Sequence, residues 1–154
     1  MAKFWFWIAG LALCFYSCSP DTFELSEAEE IEIVSKIITR TVDFEEGDTV
    51  RLGLSFNAVE MADSSFVEQI QILGNVEEIG KAMGIVIDTS KPATKESWLG
   101  YIAFSELFIH ANRKSISFQV NHYCGGECGS ATKYTFEKKG NSWKLLSEDL
   151  LWVA

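Results

Sequence analysis

The chain has 154 residues, of which 47% are hydrophobic and 23% charged, and its formal net charge is −9. This length and composition predict one globular domain and exclude a repeat protein or a largely disordered chain. The acidic charge excludes nucleic acid as a partner and argues that any attachment to an anionic membrane is covalent or hydrophobic.

The first residues have the features of an export signal. Lys3 precedes an apolar run over residues 4–16, which is too short to span a bilayer comfortably. The run ends in Phe15-Tyr16-Ser17-Cys18, which resembles a bacterial lipobox, where a small residue precedes a cysteine that becomes the acylated N-terminus. Rival interpretations are acylation at Cys14, after Leu11-Ala12-Leu13, and an uncleaved anchor.

The lipobox resemblance implies a domain division and a location. Residues 1–17 would be a signal peptide, 18–24 a tether carrying palmitate or a similar acyl chain on Cys18, and 25–154 a single α+β domain. Removing the signal takes away Lys3 and leaves 12 basic against 22 acidic side chains, a net charge of −10. Ser19, which is not acidic, follows the cysteine; in the lipoproteins that this chain resembles, such a residue favours the outer membrane.

Three helices are predicted in the first half of the domain. Ser26 and Glu29 form a capping box ahead of apolar residues at three- and four-residue spacing, which predicts a helix over about 27–41. Ser65 and Glu68 repeat the capping pattern and predict a second helix over 66–73, and a third should lie between Asn75 and Gly84. The first helix begins with a cluster of acids that we expect to be a solvated face: Glu27, Glu29, Glu30 and Glu32.

Alternating apolar residues predict strands elsewhere. One strand is expected over 50–56, a brief one over 85–87, and a loop over 88–97. The later strands should cover residues 101–110, 115–124, 131–137, 142–146 and 150–153. The predicted fold class is therefore α+β, with an N-terminal amphipathic helix and short helices packed on a curved antiparallel β-meander of four to five strands.

Two cysteines flank a glycine-rich turn in this meander. If Cys18 is acylated and Cys14 is removed with the signal, Cys124 and Cys128 are the only pair left, and an oxidising compartment favours a disulfide between them. One alternative is a zinc site built from His122, Cys124 and Cys128, although zinc usually takes four ligands. Another is a Cys-His nucleophile pair.

The last third of the chain resembles a group of small exported bacterial proteins that have no assigned activity. The resemblance is carried by Tyr123-Cys124-Gly125-Gly126, Cys128-Gly129-Ser130, Trp143-Lys144 and the terminal Leu151-Trp152-Val153. It implies a fold pattern and contributes no catalytic residues.

No spacing of nucleophile, base and orienting group indicates catalysis, and Asp88, Glu106 and Asp149 are expected at the surface. We therefore expect a non-catalytic, lipid-anchored binding or interaction module of the bacterial envelope, without cofactor or metal. The alternative is a small-ligand carrier or cavity enzyme that uses the concave sheet face. A set of aromatic residues is expected to pack in the core or at sheet edges, or else to line a ligand groove: Trp98, Tyr101, Tyr123, Tyr134, Trp143 and Trp152.

Overall fold

The computed structural model describes residues 23–54, 66–90, 100–125 and 128–154. Strands hold 52% of these residues and helices 21%, so the described part of the chain is mainly β. No helix within it is long and apolar enough to cross a membrane. The elements are α1 (Glu27–Thr41), β1 (Thr49–Leu54), β2 (Phe66–Ile70), α2 (Val76–Met83), β3 (Val86–Asp88), β4 (Tyr101–Phe104), β5 (Leu107–His110), β6 (Ser115–Gly125), β7 (Cys128–Lys139) and β8 (Ser142–Val153).

The strands form one mixed sheet around β6. Strand β6 pairs antiparallel with β7 on one side, and with β4 and β5 in succession on the other. Outside these, β1 runs parallel to β4, and β2 runs antiparallel to β5. The sheet is completed by β3, parallel to β1, and by β8, antiparallel to β7.

The predicted fold class is wrong, because a curled mixed sheet of six to eight strands replaces the short antiparallel meander. Part of the difference is the helix predicted over 66–73, where strand β2 lies instead. The capping pattern there is a local signal, whereas aromatic and β-branched residues gain more from packing on a neighbouring strand. The Phe66 ring lies 5.1 Å from Phe108 and 4.8 Å from the His110 ring, both on β5.

The long strand predicted over 101–110 is interrupted at Ser105. The Ser105 amide donates to the Gln119 carbonyl at 2.9 Å, and the Gln119 amide donates to the Ser105 hydroxyl at 2.9 Å. A side-chain oxygen thus takes the place of a backbone carbonyl in the ladder. The break separates β4 from β5, which lets their outer edges pair with two different strands.

Both helices contribute to an apolar core on one face of the sheet. The capping box of α1 is present as predicted, and α2 ends at Gly84 in the left-handed conformation, with φ of 70°. The core is filled, since its largest side chains are less than 2% exposed: Trp143, Phe104, Phe118, Phe136, Ile33, Ile37, Ile38, Leu52, Ile79, Ile102 and Leu107.

The acidic cluster of α1 is not the solvated face that we expected. Glu30 is only 9% exposed and accepts hydrogen bonds from the Gly74 amide and the Asn75 side chain, both at 2.8 Å. Glu30 therefore accepts hydrogen bonds from the turn that precedes α2. A carboxylate buried in this position without such donors would destabilise the fold.

Two further acids of α1 hold the helix against the hairpin between β7 and β8. Glu29 accepts from the Trp143 indole at 3.0 Å and pairs with Lys138 at 2.5 Å. Glu32 accepts from the Ser142 hydroxyl at 2.7 Å and from the Trp143 amide at 3.2 Å. We call Glu29 and Glu32 with these partners the helix clamp.

Candidate functional site

The glycine-rich turn between β6 and β7 is closed by a disulfide. Cys124 and Cys128 are bonded as predicted, with their Cα atoms 5.1 Å apart. Both cysteines are exposed. Zinc binding and nucleophilic attack both require a cysteine thiolate. Because both sulfur atoms are in the disulfide, neither cysteine can serve as a zinc ligand or as the nucleophile of a Cys-His pair.

His122 lies beside this turn on the helix-covered face of β6. Burial lowers the pKa of His122 below its ordinary value of 6.5, so the imidazole is neutral at neutral pH. Within the described ranges, no three His, Cys, Asp or Glu side chains are grouped to hold a metal ion. Of the three residues considered as zinc ligands, His122 is therefore a neutral imidazole, and Cys124 and Cys128 form a disulfide beside it.

The opposite face of β6 carries a polar row: Ser117, Gln119 and Asn121. All three side chains are buried, at 0%, 6% and 5% exposure. The side-chain nitrogen Nε2 of Gln119 donates to the side-chain oxygen Oδ1 of Asn121 at 2.8 Å, and the Ser117 hydroxyl lies 2.9 Å from the Thr135 hydroxyl. They alternate with the apolar residues of β6, and no sequence pattern marked their burial.

His110 and Ser117 have the spacing of a base and a nucleophile, with His110 Nε2 and Ser117 Oγ 2.8 Å apart. The β5–β6 register creates this pair, and no sequence motif marks it. A nucleophile must reach its substrate, yet Ser117 is fully buried and shares its hydroxyl with Thr135. The contact is therefore explained as a polar link across β5, β6 and β7.

Three of the aromatic residues considered for a ligand groove are buried in the structure. Trp143, Tyr134 and Tyr101 are 0%, 4% and 5% exposed, and burial raises the pKa of both tyrosines. Trp152 is 38% exposed and packs over Gly129. Tyr123 is half-buried beside Tyr101, and Trp98 lies outside the described residues.

The acids expected at the surface are found near it. Glu106 and Asp149 are exposed, and Asp88 lies 3.7 Å from Arg51 in a half-buried ion pair. Hydrogen bonds from Ser90 lower the pKa of Asp88. A shallow apolar groove of about 390 Å³ runs between α2 and β3, and its lining ends at Ile87, the residue before Asp88.

The most unusual surface of the described chain lies along β8. Three of its apolar residues are 61%, 63% and 68% exposed, and we call them the β8 ridge: Leu146, Leu150 and Val153. Among the described strands, β8 pairs only with β7; α1 satisfies the outer backbone groups of Trp143 through Glu32 and Lys36, and beyond Trp143 no described strand pairs with the outer edge. Sequence reasoning divided this strand into two, over 142–146 and 150–153, and so missed a continuous 12-residue edge.

The register shifts opposite β7 leave Leu146 and Leu151 as bulge residues. Between them, residues 147–150 form a regular stretch of edge that contains Glu148 and Asp149, both exposed. The ridge thus combines apolar side chains with negative charge.

No family model, curated protein or solved structure matches this chain. The resemblances of the N-terminus and of the last third therefore stay predictions. Cys18, the predicted lipidation site, lies outside the described residues.

Proposed function

We propose that this protein is a lipid-anchored component of a bacterial cell envelope, held at the outer membrane, and that it acts as a non-catalytic interaction module. The lipobox-like junction before Cys18 supports the anchor. The disulfide between Cys124 and Cys128 is consistent with an oxidising compartment.

The observation that carries the interaction role is the β8 ridge. The core on the helix-covered face of the described sheet is filled, while three large apolar side chains stand exposed on one edge strand. Single exposed apolar residues are common on protein surfaces, whereas a cluster of them often marks an interaction site. We infer that β8 is the surface that a partner covers.

The ridge would face away from the anchor. Phe23, five residues after Cys18, packs edge-on against Trp143 with ring centroids 6.3 Å apart, at the start of β8. Five extended residues span at most about 18 Å, whereas Val153 lies about 27 Å farther along β8 than Trp143, since the two bulges leave eight strand steps between them. The tether would therefore hold one end of β8 near the bilayer and present the ridge beyond it.

The test uses the full chain in a bacterial host. Labelled fatty acid should be incorporated, and Cys18→Ser should abolish the label and leave uncleaved precursor. A photo-crosslinking residue at Leu150 should give a discrete adduct, and the same group at exposed Glu45 should give none. Normal processing of the Cys18 variant would contradict the anchor, and matching adduct patterns at both positions would contradict the interaction surface.

The polar row favours a second candidate, a carrier of a small polar ligand on the other sheet face. Buried hydrogen-bonding side chains fix the orientation of ligands in many binding sites. Native mass spectrometry of the purified full chain tests this candidate. A retained small molecule that Gln119→Leu removes would support it, and an unliganded mass would reject it.

A further inference from the structure

We propose that the partner adds a short extended segment to the outer edge of β8, and that this segment carries a basic residue between two apolar ones. The proposal rests on the interaction role proposed above and names the chemistry of the partner. In such strand addition, backbone hydrogen bonds supply affinity and alternate side chains supply specificity.

The spacing of the side chains along β8 defines the complementary pattern. Leu146, Glu148 and Leu150 occur at every second position, so they meet every second residue of an added strand. A strand that pairs well has apolar residues opposite the two leucines and a cation opposite Glu148. Because the regular edge between the bulges covers only residues 147–150, a segment of about five to seven residues suffices.

Glu148 has room for a second cation. It already accepts from Arg40 at 3.3 Å and from the Tyr134 hydroxyl at 3.3 Å, yet its side chain remains 43% exposed. Asp149 is the next residue and is exposed as well. Because successive side chains of a strand point to opposite faces, and Asp149 accepts from the Ser147 hydroxyl at 3.2 Å, an added lysine or arginine would be held by Glu148 alone at the centre of the contact.

A second copy of this chain fits the edge poorly. An antiparallel pairing that sets Leu146 against Leu150 of the other copy also sets Glu148 against Glu148 of that copy, and like charges directly opposite each other are destabilising. Each copy also has a net charge of −10 after removal of residues 1–17, which opposes association at long range. Charge complementarity therefore favours a basic segment of another protein.

The probes are synthetic nine-residue peptides with the sequence Ser-Thr-Val-Thr-Lys-Thr-Val-Thr-Ser, or with Glu in place of Lys. A third peptide keeps the lysine but carries N-methyl groups on alternate residues, which removes backbone donors. Binding to the detergent-solubilised full-length protein is measured by fluorescence anisotropy, with folding of each variant checked by circular dichroism.

The lysine peptide should bind at least about fivefold more tightly than the glutamate peptide, as expected for a partly exposed ion pair. Glu148→Gln, or Glu148→Thr if the first variant is misfolded, should remove this preference, whereas Asp149→Asn on the opposite face of the strand should keep it. Leu150→Thr should weaken binding about tenfold because a buried apolar side chain is lost, while Val86→Thr on the other sheet edge should not. The N-methylated peptide should not bind.

Equal affinity for the lysine and glutamate peptides, or full affinity of the N-methylated peptide, would overturn the proposal. The proposal would also be overturned if Leu150→Thr left peptide binding unchanged but altered the oligomeric mass, because the ridge would then bind a second copy of the chain. The same holds if Leu150→Thr altered only the binding to phosphatidylglycerol vesicles, because the ridge would then bind a lipid surface. Failure of peptide binding while the Leu150 crosslink persists would reject strand addition alone. Loss of both would reject the interaction role too.

Discussion

Replacing Glu29 with glutamine should weaken the helix clamp and make the protein less stable at neutral pH. The substitution keeps the size of the side chain but removes its charge. Partial burial alone would raise the pKa of Glu29, but hydrogen bonds from Lys138, Ser26 and Trp143 outweigh it and lower the pKa from 4.5 to about 2.

That shift sets the size of the expected effect. A drop of about 2.5 pKa units corresponds to an upper limit of roughly 3 kcal/mol, since each unit is worth about 1.4 kcal/mol. Solvent screens part of this interaction: the Glu29 side chain is 15% exposed, but that of its partner Lys138 is 40% exposed, so the expected loss is about 1–2 kcal/mol. The loss would be a large share of the roughly 5–15 kcal/mol typical of a domain.

The pH dependence of the free energy of unfolding separates the electrostatic contribution of Glu29 from other effects of the substitution. A carboxyl with a lowered pKa stabilises the fold above about pH 4.5, and this contribution is lost as the pH falls toward about 2. Urea denaturation of wild type and Glu29→Gln should therefore differ most at pH 7 and converge near pH 2. Exposed Glu27 provides the matched control, and Glu27→Gln should change stability by less than about 0.5 kcal/mol.

A difference between wild type and Glu29→Gln that is equally large at pH 7 and pH 2.5 would refute the electrostatic explanation. A double-mutant cycle with Lys138→Met should also give a coupling energy above about 1 kcal/mol, since the two charges are 2.5 Å apart. Strict additivity would show that the ion pair contributes nothing.

Three further changes test other features of the fold. Cys124→Ser should lower stability by about 2 kcal/mol without unfolding the protein, and reductant but not chelator should lower the melting temperature of wild type. Gly53→Ala should cost about 1–3 kcal/mol because a Cβ there would lie 1.6 Å from the Tyr101 hydroxyl oxygen and 2.6 Å from the ring carbon Cζ, and it should cost much less in a Tyr101→Val background; an equal cost in both backgrounds would refute the overlap. The NMR titration midpoint of His122 should lie below 6.5, so that stability falls as the pH drops below that value and His122→Gln removes this step; an unshifted midpoint would contradict its burial.

Sequence patterns predicted the features that depend on neighbouring residues. The Ser26–Glu29 capping box, the extent of α1, the helix ending at Gly84 and the brief strand after it are all confirmed. The disulfide is confirmed as well, because its two cysteines close a turn within one hairpin. These elements are set by short-range hydrogen bonds, hydrophobic periodicity and loop closure.

The features that the sequence did not reveal depend on distant partners. Residues 66–70 have the pattern of a capped helix, but their contacts with β5, about 40 positions later, make them a strand. The parallel pairing of β1 with both β3 and β4 leaves no periodic signal in any one segment. The burial of the polar row and the exposure of the β8 ridge likewise follow from which strands lie beside them.

The helix clamp also bears on the order in which the chain acquires its structure during synthesis. Glu32 and Trp143 are separated by 111 positions, so α1 is made long before the hairpin that holds it. A 15-residue helix is marginal in water by itself, and the hairpin that holds it is made only about a hundred residues later. In a nascent chain α1 would thus have no lasting helical structure until β7 and the start of β8 had been made, and its folding would wait for theirs.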